Sequence, residues 1–87
     1  MLRGAVTRGS GNVAPDATVE IHNAAGDVVD QVQVDAQGRF EFHVTPGSWG
    51  LRAWDPHGRR ARSPAEVAER EVEVELRLEP EERRQAS

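Results

Sequence analysis

A side-chain period of two, repeated along most of this 87-residue chain, restricts its fold more than any other feature. In Arg39-Phe40-Glu41-Phe42-His43-Val44 every second residue is apolar. Over Glu71–Glu79 the residues Val72, Val74, Leu76 and Leu78 alternate with Glu71, Glu73, Glu75 and Arg77. Successive side chains of a strand point to opposite faces, so each run makes one apolar face and one polar face, the signature of a half-buried strand. The turn Asp35-Ala36-Gln37-Gly38 leads into the first run. Thr45-Pro46-Gly47-Ser48 then reverses the chain into Trp49–Trp54, with Pro46 fixing φ and Gly47 able to take a positive φ. The inner face of this hairpin carries Phe40, Phe42, Trp49 and Leu51, which places the middle of a small core there.

The remaining segments follow the same rule. Leu2–Thr7 alternates with Leu2, Gly4 and Val6 on one side, and Ala17–His22 with Ala17, Val19 and Ile21 inward. Val28–Val34 is apolar at even positions except Asp30, a lapse that marks an edge strand or a bulge. Arg8–Asn12, Asn23–Asp27 and Asp55-Pro56-His57-Gly58 connect the runs. Arg60–Val67 reads as an irregular connection or ragged edge strand, with Ser63-Pro64-Ala65-Glu66 offering a single helical turn as the alternative. Six to seven strands with short connections predict one all-β domain, an antiparallel sandwich over residues 1–79. Residues 80–87, charged and without an apolar face, are expected to form a mobile tail.

Composition removes several function classes. The chain has no cysteine, so a disulfide framework, a thiolate nucleophile and a Cys-ligated metal are all absent. A small secreted domain often carries disulfide staples, so their absence points to the cytoplasm. No segment approaches the length of a membrane-spanning helix. Net charge is −4, and residues 66–87 hold eight acids against four arginines. Such an acidic chain is not expected to bind nucleic acid.

The G-x-V strand at Gly4-Ala5-Val6, the loop ending in Pro15, the strand A-T-V-E-I, then D-A-Q-G-R-F-E-F and P-G-S-W-G-L-R-A resemble the carboxypeptidase regulatory-like domains. The resemblance implies a Greek-key sandwich of prealbumin (transthyretin) type. Gly38–Phe42 followed by Pro46–Ala53 is also similar to small actinobacterial proteins of unknown function encoded beside thiosulfate sulfurtransferases. That likeness implies a rhodanese-type sulfurtransferase as partner. The chain departs from those proteins in lacking a cysteine-bearing N-terminal extension and in its acidic C-terminal quarter.

No constellation of catalytic type emerges. His22 and His43 lie on outward strand faces and would meet only if their strands paired. Two imidazoles without a third ligand do not make a metal site. Ser48, His43 and Asp55 lack the elbow motif of a nucleophilic serine. No cofactor and no metal is therefore expected, and the chain reads as a non-enzyme. The candidate protein-binding residues are Arg52, Trp54, His57, Arg59, Arg60 and Arg62, because an outward tryptophan among arginines is the composition of an interface hot spot. The competing reading makes Trp54 a lid over the end of the sandwich with Arg52 stacked on it. The Glu71, Glu73, Glu75 face either protects an edge or meets a basic surface, which includes another copy of the chain. The functional expectation is a non-catalytic accessory domain that binds a protein. The alternative is a structural or carbohydrate- or peptide-binding module.

Overall fold

A computed structural model describes residues 1–9 and 11–79; the expected tail at 80–87 lies outside the described residues. The chain forms strands β1 (Leu2–Arg8), β2 (Thr18–His22), β3 (Val28–Gln33), β4 (Arg39–Phe42), β5 (Gly47–Trp54), β6 (Arg60–Val67) and β7 (Val72–Leu78). They make a three-stranded sheet, β4-β1-β7, facing a four-stranded sheet, β3-β2-β5-β6. All pairs are antiparallel except β1 with β7, which run parallel from Leu2↔Val72 to Arg8↔Leu78. A wholly antiparallel sandwich, as the turns predict, is thus corrected at one ladder. No short turn joins β1 to β7, so nothing in the chain obliges them to run in opposite directions.

Between the sheets Leu2, Val6, Phe40, Phe42, Leu76 and Leu78 meet Val19, Ile21, Leu51, Ala53, Ala65 and Val67, all buried. Trp49, expected near the middle, is only half-buried at the rim. Its Nε1–H donates to Thr45 O at 2.9 Å, a partner that lies at the hairpin end and not in the apolar interior. Both alternatives for the Asp30 lapse are realised, since β3 is an edge strand with a register shift at Ile21/His22. Over Arg60–Val67 the edge-strand reading holds, and the strand is regular, paired with β5 at every residue. Pro64 fits there because an edge strand need not donate on its outer side.

Gly4 sets the spacing between β1, β4 and β7. A Cβ at this position would lie 2.7 Å from Phe40 Cζ and closer still to the carbonyl oxygen of Val74. One contact is with backbone, so the sheet itself would have to shift. Gly4→Ala is expected to cost about 1–3 kcal/mol, the usual range for overpacking, measured as a fall in the urea midpoint at unchanged slope.

Candidate functional site

The outer face of the four-stranded sheet gathers most of the predicted site. Cross-strand register places Glu20 beside Arg52 and Arg52 beside Arg62, and in the next row Thr18 beside Trp54 and Trp54 beside Arg60. Arg60 exchanges backbone hydrogen bonds with Glu79, at 2.9 and 3.0 Å, so the even-numbered residues of β6 direct their amides away from β5. Arg52/Arg62 and Trp54/Arg60 are therefore non-hydrogen-bonded pairs, the kind that brings facing side chains closest. Like charges directly opposite destabilise a sheet. Arg52 is partly compensated by Glu20, its Nη1 lying 3.8 Å from Oε1. That oxygen is buried and accepts no hydrogen bond among the described residues. Arg62 is exposed, and no ion pair to it is formed among the described residues. Trp54 faces away from the core, as the alternation requires, but is half-buried rather than bare.

His57 and Arg59 belong to a different cluster. Asp55 is 4% exposed and anchors the β5–β6 turn. Its Oδ1 accepts the N–H of His57 at 2.9 Å and of Arg59 at 3.0 Å, while Oδ2 accepts Arg59 Nη1–H at 3.1 Å. Arg8 Nη2 stands 3.7 Å from the same Oδ2 and donates to Asp16 Oδ1 at 2.8 Å; His57 Nε2 is 3.5 Å from Asp16 Oδ2. Burial pushes the Asp55 carboxyl up, but the hydrogen bonds from the Arg59 amide and guanidinium and the His57 amide, with the charge of Arg59, hold it below the usual aspartate value near 3.8. Arg59 is thus tied into the scaffold. The sequence marks Asp55 as a turn former and gives no sign of its burial between two arginines.

The two strand histidines do not meet: β2 lies in one sheet, and His43 follows β4 in the other, its Nε2 3.7 Å from Glu41 Oε2. His22 instead covers Gly50, where a Cβ would stand 2.5 Å from its Cε1. Among the described residues no three His, Asp or Glu side chains are grouped to hold a metal ion. An open groove of about 810 Å³ lies at the three-stranded sheet, near Ala5 and between Arg39 and Glu75, with Val32 and Gln33 of β3 at its border. It has charged walls, unlike the apolar, enclosed cavities that hold small molecules.

Residues 1–79 match the carboxypeptidase regulatory-like domain. The chain belongs to that family. Relatives of this carboxypeptidase regulatory-like domain include the uncharacterized proteins Rv0814c and Rv3118 of Mycobacterium tuberculosis. Each is 30% identical over 78 residues, which span 87% of this chain and 78% of the relative. The domain is a β-sandwich of regulatory-like type, and its mycobacterial relatives are uncharacterized. No helix among the described residues is long and apolar enough to cross a membrane.

Proposed function

We propose that this carboxypeptidase regulatory-like domain is a cytoplasmic, non-catalytic accessory protein that binds another protein through the outer face of its four-stranded sheet. One observation carries the reading: Arg52 and Arg62 face each other across a non-hydrogen-bonded pair, next to Trp54. Two arginines directly opposite each other on an exposed face, with a carboxylate near only one of them, raise the energy of the free domain. An acidic partner surface relieves that repulsion and gains charge-assisted hydrogen bonds at once. Trp54 supplies the flat apolar anchor that such interfaces concentrate near their centre. The partner proposed on the resemblance to proteins encoded beside thiosulfate sulfurtransferases is a rhodanese-type sulfurtransferase with an acidic docking face.

The test is a calorimetric titration of the purified domain into a purified rhodanese-type sulfurtransferase from the same cell, with charge-reversed variants alongside. Arg62→Glu is expected to weaken binding at least about tenfold while changing domain stability by no more than ~0.5 kcal/mol, as for other exposed positions. Equal affinity for the parent and for Arg62→Glu would remove this face from the interface. No heat with the enzyme, alongside an Arg62-dependent complex with another acidic protein, would remove only the sulfurtransferase.

A further inference from the structure

Each sheet has two edge strands, and on three of the four at least one mid-strand outward backbone group is already occupied or missing. Along a strand the N–H and C=O of every second residue point to the same side. On β4, Asp35 occupies both outward groups of Arg39: its Oδ1 accepts the Arg39 N–H at 2.9 Å, and its own N–H donates to Arg39 O at 3.0 Å. On β3, Val34 N–H donates to Ala17 O at 3.1 Å, so even residues face β2 and Gln31 faces outward. Asp30 Oδ1 accepts that outward N–H at 2.8 Å, beside the register shift. On β6 the even residues face outward, yet Pro64 has no N–H and its carbonyl accepts the Ser63 hydroxyl at 3.0 Å. Devices of this kind prevent the addition of a foreign strand.

Among the described residues, β7 carries no such device between Glu73 and Arg77. Val72 N–H donates toward β1, to Met1 O at 3.0 Å, while Glu79 turns both its groups outward to Arg60. The same parity leaves Glu73, Glu75 and Arg77 with their N–H and C=O directed at the open edge. A cleft of about 350 Å³ runs along it, bounded by Arg62, Ser63, Glu75 and Arg77. Val72 and Val74 face inward beside this edge and are only half-buried, so an added strand would cover apolar surface.

We propose that this edge pairs with the same edge of a second copy, β7 against β7, antiparallel about a two-fold axis at Glu75. Charge selects this occupant and this sense. In the antiparallel register Glu73 lies opposite Arg77 of the second copy, Arg77 opposite Glu73, and only Glu75 meets its own mate. A parallel, in-register pairing would set glutamate against glutamate twice. Glu75 on the axis has the Thr7 hydroxyl 3.5 Å from its Oε2 as a donor. Inward, Val74 and Leu76 of one copy face Leu76 and Val74 of the other. The ladder stops at Arg77 because Arg60 already occupies Glu79. The contact is isologous and closes at two copies, joining two three-stranded sheets into one. Its ladder uses none of Arg52, Trp54 or Arg62, although Arg62 borders the cleft beside it, so charge reversals within β7 test it separately from the partner proposed above.

Sedimentation velocity of the full chain from micromolar to millimolar concentration tests it, with circular dichroism confirming that each variant is folded. A monomer–dimer equilibrium is expected. Arg77→Glu and Glu73→Arg each convert two attractive pairs into two repulsive ones and should raise the dimer dissociation constant about tenfold or more. The double variant Glu73→Arg/Arg77→Glu exchanges the charges, keeps the complementarity and should dimerise like the parent. A chain that stays monomeric at millimolar concentration overturns the proposal. So does a dimer indifferent to the single reversals, or a double variant no better than either single one.

Discussion

Asp55→Ala is expected to lower the thermal midpoint by roughly 12 °C or more, because losing a buried carboxylate that accepts three hydrogen bonds costs about 3–4 kcal/mol in a domain where each kcal/mol is worth ~4–8 °C. The substitution deletes the acceptor of two turn amides, at 2.9 and 3.0 Å, and the counter-charge of Arg59 at 3.1 Å. It also leaves Arg8 with Asp16 as its one remaining carboxylate among the described residues. Asp55→Asn separates the two roles. The amide oxygen still caps the turn, but the charge is gone, so a smaller loss of about 1–3 kcal/mol is expected. The pH dependence follows from the same geometry. The folded carboxyl titrates below its ordinary value near 3.8. Its contribution is therefore complete above that value and is lost as the pH falls through the lower, folded one. Urea unfolding of the parent should weaken on the acid side of pH 4 by an amount that Asp55→Asn no longer shows. An Asp55→Ala midpoint within a few degrees of the parent would mean that the arginines find other partners.

Phe42→Ala should be as damaging, at about 3–5 kcal/mol, the range for removing a fully buried phenylalanine ring. Phe42 is 1% exposed, pairs in register with the fully buried Leu2, and sets its ring 5.8 Å from that of Phe40 at a tilt of 55°. Core walls on both sheets surround the space it fills, so little can collapse into it. A folded parent and a Phe42→Ala chain without a cooperative thermal transition is the expected result. Trp49→Ala is a useful contrast, because a half-buried indole at the rim should cost distinctly less.

Period two made the strands legible, and with them the two-layer architecture and the outward direction of Trp54. Three connections also share a pattern that no single one reveals: Asn23-x-x-Gly26, Asp35-x-x-Gly38 and Asp55-x-x-Gly58. In each, the side-chain oxygen of the first residue accepts the N–H groups two and four positions on, and the glycine takes φ of +89, +76 or +88°. Repetition of the motif was the available signal for three identical turns. Other features leave only an ambiguous local trace. β6 carries Ala61, Ser63 and Ala65 inward, residues too small or too polar to announce a strand, and Ser63-Pro64 resembles a helix start. Its identity comes from pairing with β5. The separation of Arg59 and His57 from Arg52 and Arg62 likewise depends on which side of a turn a buried carboxylate occupies.

The parallel rung between the first strand and the last has a kinetic consequence. Leu2 and Val72 are neighbours in space but 70 positions apart in sequence, and joining such distant segments carries a loop-closure cost before any contact repays it. Domains dominated by such distant pairings fold on the slower, millisecond-to-second scale. During synthesis the β7 side of β1 has no strand to pair with until residue 78 has emerged, so a nascent chain shortened within β7 should remain open along that side and sensitive to protease.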